Sequence, residues 1–335
     1  MTPIAELHGL DPRALPDDVL AATEPVVLRG LTLSWPATQA ARRSDADIAG
    51  YLCSHWRDAT VGMLIGPPDI QGRFFYNEDL SGFNFNRDMG KLDTVLDTLL
   101  QLSAAPAEAT PALYVGSTTV DTCLPGFRAA NDLALGARDA LASLWLGNRS
   151  RIAAHFDVPD NIACVVAGRR RFTLFPPEQL ANLYVGPLDF TPAGQAISLV
   201  DFYAPDHARF PRFAEALKHA QVAELTAGDA IFIPSLWWHH IEALSPFNLL
   251  VNYWWRQSPE YMDTPMNALM LALLTLRELP DAQRRAWAGV FKHYVFEADD
   301  QTVAHIPPDA RHVLAPIDAA GARQLRAHLL NRLKR

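Results

Sequence analysis

Cysteine is scarce: the 335 residues include three, Cys53, Cys123 and Cys164. They form no paired spacing, which argues against a disulfide framework or a zinc knuckle. No apolar run reaches the ~20 residues that a membrane helix needs, so no membrane span is expected. The opening stretch "MTPIAELHGLDPR" has neither the basic start nor the apolar centre of a secretory signal, and the expected compartment is the cytoplasm. Positive charge is short too. Lys and Arg number 29 against 37 Asp and Glu, a net charge of −8, and this argues against a general nucleic-acid binder. The one basic cluster, "RQLRAHLLNRLKR" (323–335), reads as the solvated face of a C-terminal helix. Internal repeats and low-complexity segments are absent.

What is present is ordinary globular composition, 49% hydrophobic and 20% charged, broken up by 25 prolines that favour turns and strand ends. "PVVLRGL" (25–31) and "TVGMLI" (60–65) read as short strands. "KLDTVLDTLLQL" (91–102) carries Leu92, Val95, Leu96, Leu99 and Leu100 at helical spacing and predicts an amphipathic helix. "APAEATP" (105–111) reads as a linker. From 112 to 256 the pattern is strand after strand: "ALYVGST", "SLWLGN", "RIAAHFD", "IACVVAG", "RFTLFP", "AIFIP" and "NLLVNYWW". Each is short, apolar or aromatic, and bounded by Gly, Pro, Asn or Asp. Such a run implies an antiparallel sandwich or barrel. After 258 the chain turns helical. Asp263-Thr264-Pro265 supplies an N-cap and a first-turn proline, and "MNALMLALLTL" (266–276) is apolar almost all round. That helix must be covered within the monomer or by a partner. Further helices are expected at about 281–296 and 318–334.

The chemistry concentrates in "HFDVPDN" (155–161). In a strand, residues i and i+2 share a face, so His155 and Asp157 project together and Phe156 points the other way. One imidazole and one carboxylate are two-thirds of the facial triad that suits non-haem Fe(II) oxygenases. His-x-Asp by itself is also a common structural hydrogen bond. A third ligand must come from a distant strand, and "GDAIFIPSLWWHHIE" (228–242) offers His239 and His240. After the Pro234-Ser235 kink, alternation puts Trp237, His239 and Ile241 on an apolar face. Trp238, His240 and Glu242 fall on a face expected to be wetter. His239 is the better ligand and His240 its neighbour; His240-x-Glu242 is the competing pair, which pattern alone does not exclude. In "GRRRF" (168–172), Arg169 and Arg171 share one face. Arg170 takes the other, with Phe172 and Leu174. An arginine on an apolar interior face needs an anion, and its planar fork binds a carboxylate through two hydrogen bonds. The alternative is an arginine at a strand end reaching out to water.

These stretches carry a family resemblance. "HFDVPDNIACVVAGRRRFTLFPPEQLANLYVGPLD" (155–189), "DFYAPDHARFPRF" (201–213) and "GDAIFIPSLWWHHIE" together resemble the cupin-like Jumonji C oxygenases, most closely the subgroup containing the asparaginyl hydroxylase that inhibits hypoxia-inducible factor. "PVVLRGLTLSWPA" (25–37) and "GRFFYNEDLSGFNF" (72–85) resemble the N-terminal part of bacterial members.

The resemblance implies a mainly β fold with flanking helices: a double-stranded β-helix (cupin, jelly-roll) barrel with a C-terminal helical region. The expected divisions are an N-terminal α/β region (1–105), the barrel core (106–256) and a helical region (257–335) that makes a homodimer. It implies Fe(II) held by His155, Asp157 and His239, with 2-oxoglutarate as co-substrate. Arg170 stands where the family commonly has a lysine for the far carboxylate of 2-oxoglutarate. Asn161, Asn252 and Tyr114 match polar positions that contact the same molecule, and Trp254 matches an aromatic nearby. Ile152 replaces a threonine found in some relatives, which removes one hydrogen bond.

The implied reaction is hydroxylation of a protein or peptide side chain with release of succinate and CO2. The other readings are the same chemistry on a small molecule, or a lapsed barrel serving as a binding module. Methyl-lysine demethylases of the wider family more often use Glu as the carboxylate ligand, so Asp157 leans towards hydroxylation. Loops around 66–90 and 177–227 are expected to wall the entrance.

Overall fold

The computed structural model describes residues 1–334; Arg335, the last of the basic cluster, lies outside the described residues. Two compact units divide at Gln257/Ser258.

The first unit carries its strands in chain order: β1 (Thr2–Pro3), β2 (Ala5–His8), β3 (Val26–Arg29), β4 (Thr60–Gly66), β5 (Asn86–Lys91), β6 (Ala112–Thr119), β7 (Leu141–Gly147), β8 (Ser150–His155), β9 (Asp160–Ala167), β10 (Arg169–Phe175), β11 (Gln221–Thr226), β12 (Ala230–Ile233), β13 (Trp238–Ala243) and β14 (Asn248–Trp255). They form two sheets, ordered β1-β11-β10-β13-β8 and β2-β3-β12-β9-β14-β7-β6-β4-β5. All pairings are antiparallel except β1 with β11 and β2 with β3. The expected strands from 112 to 256 are all there, and the architecture is the jelly-roll barrel with flanking helices. Strands β1, β2, β5 and β11 escaped sequence reading. Three are short or exposed, and β11 carries Gln221 and Glu224 on a partly solvated edge.

Alternation along β9 shows how the layers are built. Ile162, Cys164 and Val166 face one way, into a core shared with the helices Pro36–Arg43, Asp45–His55 and Leu92–Ser103. Ala163 and Val165 face the other way, into the space between the sheets, where they meet Phe172, Leu174, Ile231 and Ile233. Both faces are covered, so all eight residues of β9 are buried. This is why "IACVVAG" reads as a continuous apolar run instead of alternating. The outer face of the five-stranded sheet is covered in turn by Leu183, Val200, Phe210 and Phe213, packed on Phe175 and Trp238.

The second unit is helical: Pro265–Thr275, Asp281–Phe291 and Ala319–Leu333. Thr264 caps the first of these, its hydroxyl accepting from the Met266 amide at 3.4 Å. The helix expected over 281–296 is α-helical to Phe291, and a π-helical turn completes it from Lys292 to Phe296. Among the described residues of this unit, Thr302 and Ala322 are the buried ones. No helix among the described residues is long and apolar enough to cross a membrane.

Candidate metal centre

β8 and β13 run side by side, and His155 is the direct partner of His239. Between this pair and the next, Ile152 with Ile241, the register shifts by one residue, a β-bulge in β8. Simple alternation would send Ile152 and His155 to opposite faces. The bulge turns both towards the space between the sheets, a common use of this irregularity beside functional sites.

Asp157 lies beyond the end of β8, in a turn, so it reaches the site by loop geometry and not by strand alternation as the sequence suggested. That turn is tied to the one before β13. The Leu236 amide donates to the Asp157 carbonyl at 2.9 Å, the Ser235 amide to Asp160 Oδ1 at 2.9 Å and the Ser235 hydroxyl to the Val158 carbonyl at 2.5 Å. Leu236 has φ 67°, a left-handed conformation uncommon for a bulky residue, held by these ties.

The result is convergence of three groups far apart in sequence. Ligand atoms of His155, Asp157 and His239 all lie within 4.8 Å of one another. His239 Nε2 is 3.6 Å from Asp157 Oδ2, and the two imidazole centroids are 4.3 Å apart. Each imidazole directs Nδ1 at a carbonyl two residues back, Ala153 at 2.9 Å and Trp237 at 3.0 Å. An Nδ1–H donating there leaves the Nε2 lone pair free, and such a bond is what orients a metal-bound histidine. Two imidazole nitrogens and one carboxylate on one side of a cavity fit a divalent iron with open positions.

Burial lowers the His239 pKa to about 4, with the neighbouring His155 adding to the effect and Asp157 opposing it. His240 is lowered to about 3, by burial first and Arg151 next. Both rings are therefore neutral at neutral pH, and for His239 this is the form that binds a metal. In the unfolded chain a histidine titrates near 6.5, so the folded values are depressed. Stability from these two groups is present above about pH 6.5 and is lost as pH falls towards 4 and then 3, on the order of 3 kcal/mol for His239 and 5 kcal/mol for His240. Metal-free protein should show its urea midpoint dropping across that window, less steeply in the His240→Leu variant. Equal slopes for parent and variant would count against it.

The triad opens on a cavity of about 300 Å³ between the sheets. Tyr114, Asn161, Arg170, Asn252 and Trp254 all line it, as does Ile152. Arg170 is 3% exposed and its Nε has no partner. Burial lowers its pKa to about 10, and the only group acting the other way is Tyr114; at neutral pH it remains a cation without a carboxylate. Its neighbours Arg169 and Arg171 face outward and both pair with Glu224, at 2.8 and 2.6 Å. On the opposite wall, Trp145 Nε1 donates to Asn252 Oδ1 at 2.7 Å, and Asn252 Nδ2 donates to Asn161 Oδ1 at 3.2 Å. Burial pushes the Tyr114 hydroxyl up, so it stays protonated. A larger cleft of about 690 Å³, lined by residues such as Asp69, Leu102 and Arg149, contains none of these groups.

A model of the family described as the cupin-like domain matches residues 12–261, a span holding all three triad residues and Arg170. The chain belongs to the cupin-like domain family. Within it, stretches of this cupin-like chain are similar to the Lysine-specific demethylase JMJ31 of Arabidopsis thaliana, 34% identical over 130 residues, which is 36% of this chain and 23% of that protein. Human HSPB1-associated protein 1 is 29% identical over 151 residues, 44% of this chain and 30% of that one. Mouse tRNA wybutosine-synthesizing protein 5 is 34% identical over 149 residues, 40% and 44% respectively. The matches span less than half the length of each of these relatives.

One reading of this cupin-like domain needs correction. The face of β13 bearing Trp238, His240 and Glu242 was expected to be wetter, yet they are 1%, 6% and 4% exposed. A segment far along the chain, around Val200–Tyr203, lies over them, and Phe202 stacks on His240 with centroids 4.5 Å apart. The residues that sequence reading missed are walls: Phe74 and Ser117 on one side, and Pro192, Gln195 and Ile197 from the loop before β11. Phe74 and the 192–197 loop fall inside the segments expected to wall the entrance, but no periodicity marks which of their residues turn inward.

Proposed function

We propose that the chain is an Fe(II)- and 2-oxoglutarate-dependent dioxygenase that hydroxylates a side chain of a protein or peptide, as in the asparaginyl hydroxylase subgroup it resembles. The observation that carries this is one cavity holding both the His155–Asp157–His239 triad and a buried, unpaired Arg170. The balance is simple: substrate C–H, O2 and 2-oxoglutarate give C–OH, succinate and CO2, one oxygen atom going to each organic product.

Iron, when bound, would supply the redox chemistry that lets O2, the oxidant, act on that C–H bond. The protein's residues do the rest. His155, Asp157 and His239 hold the metal on one side, and the Asp157 carboxylate offsets part of its charge. Arg170 binds the far carboxylate of 2-oxoglutarate with two parallel N–H donors. Tyr114, still protonated, donates a further hydrogen bond. The Trp145–Asn252–Asn161 chain holds its amides in fixed orientation. Apolar walls from Leu64, Phe74, Ile152, Ile197 and Leu250 exclude water and limit side reactions. Asp157 is the one acid among the lining residues. A cationic side chain would find no free counter-charge there and would meet Arg170, so the reading favours an uncharged one.

The test is anaerobic purification, Fe(II) loading and measurement of succinate released from 2-oxoglutarate on exposure to O2, alone and with candidate peptides. Stoichiometric iron and slow iron-dependent succinate release are expected without substrate, rising when the right peptide is added. Iron binding with no turnover under any condition would favour a binding module.

We also propose that the helical unit pairs with a second copy of the chain. Its first helix leaves Leu269 and Leu274 43% and 75% exposed, and few residues of the unit are buried. Light scattering should give a dimer that Leu274→Glu converts to a monomer; a monomeric parent at high concentration would end this proposal.

A further inference from the structure

His240 follows a triad residue in sequence yet points to the opposite side of β13. Among the described residues neither of its ring nitrogens has a hydrogen-bond partner, and both are buried. An orphaned buried polar atom costs about 1–3 kcal/mol, so an isolated imidazole here demands an explanation.

Beside the ring is a void of about 10 Å³, edged by Arg73, Arg151, Asp201, Phe202, Tyr203 and His240. Space of this size is about the minimum that holds one water, and a buried water needs two to four polar partners. The charged groups are already arranged around it. Asp201 sits between two guanidiniums, 3.5 Å from Arg73 Nη1 and 3.4 Å from Arg151 Nη1. Arg151 is further held by the carbonyls of Gln71 at 3.1 Å and Ile70 at 3.3 Å. Tyr203 covers it, with the guanidinium carbon 4.4 Å from the ring centroid.

We propose that this void is a binding site for one ordered water, and that the water joins His240 to the Arg73–Asp201–Arg151 cluster. It accepts from an arginine N–H and donates to Asp201 and to the unprotonated ring nitrogen of His240. Four chain segments then meet at one point: the turn carrying Arg73, strand β8 through Arg151, the strap Val200–Tyr203 and strand β13 through His240. The bulge of β8 lies at the same level, because the register slips between His239 and Ile241. His240 is thereby a positioning residue. It anchors β13 from behind while His239 faces the cavity. This last step rests on the metal reading above; the water site does not.

Two measurements test it. A crystal structure at a resolution that shows ordered solvent should place a density peak within hydrogen-bond distance of a His240 nitrogen and of Asp201 or an arginine. Co(II) affinity and the Co(II) absorption spectrum should then be compared for the parent, His240→Gln and His240→Leu, alongside their melting temperatures. The glutamine variant is expected to keep the water, the affinity and the spectrum. The leucine variant should lose the water and bind Co(II) about 10-fold more weakly with an altered spectrum, while melting no lower, since it also removes the second ring nitrogen, which the water leaves unpartnered. No peak in the parent overturns the water site. A leucine variant with parental affinity and spectrum overturns the positioning role. Should the leucine variant fail to fold, the parent density and the glutamine spectrum still decide. A parent that binds no metal ends the dioxygenase reading, while the density still decides the water.

Discussion

His239→Ala should abolish iron-dependent succinate release and weaken Fe(II) binding by more than about 100-fold, beyond the 10–100-fold that loss of a merely supporting hydrogen bond costs. The site has one imidazole from β8, one carboxylate from the following turn and one imidazole from β13, with their ligand atoms all within 4.8 Å. Removing His239 leaves two ligands on adjacent chain segments and nothing across the sheet to oppose them. The fold itself should survive. His239 makes one hydrogen bond, to the Trp237 carbonyl at 3.0 Å, and otherwise faces the cavity. Circular dichroism at neutral pH would confirm an intact barrel, and metal analysis would give the affinity. A folded variant that still binds iron and turns over as the parent does would remove the basis of the proposed activity.

Arg170→Met should act in two directions at once. Without its cation the cavity loses the partner for a dicarboxylate, and the KM for 2-oxoglutarate should rise by about 100- to 1000-fold, equivalent to roughly 3–4 kcal/mol for one member of a buried charged pair. Yet the ligand-free protein should become more stable by about 1–4 kcal/mol, because a 3%-exposed guanidinium with no carboxylate is replaced by an apolar chain of similar reach. Arg170→Lys should fall between: the charge stays, but two parallel donors become a point charge. Denaturant midpoints read the stability, and succinate formation against 2-oxoglutarate concentration reads the KM. If the methionine variant were instead less stable with an unchanged KM, Arg170 would be a structural residue, and the anion would have to bind elsewhere. The expected exchange of stability for binding is usual where a site is built around a charge awaiting its ligand.

Much of this site was readable in one dimension because its parts lie on strands. A period of two separated Arg170 from Arg169 and Arg171, and the structure puts the first in the cavity and the others on Glu224. The same period separated His239 from His240 and picked out the one that meets His155. It failed at two points. Asp157 lies past the strand end, so alternation named a residue that a turn delivers. Ile152 and His155 are three apart and still share a face, because a bulge adds a residue that no local pattern announces. Burial of His240 and Glu242 was misread for a different reason. Their cover is a segment some forty residues earlier in the chain, and solvation of a face depends on what folds over it.

The amino-acid sequence by itself determined the chemistry available here: two imidazoles and a carboxylate of the kind that can hold a metal, an arginine placed among apolar neighbours, and strands short enough to build a jelly-roll. These follow from side-chain type and from periodicity, which are local. Tertiary structure alone decided which groups meet, how the bulge aims His155, which loop walls the cavity, and that the back of β13 is sealed instead of wet. Those depend on register and on contacts between distant segments, and a strand's own residues cannot specify what pairs with it or what covers it.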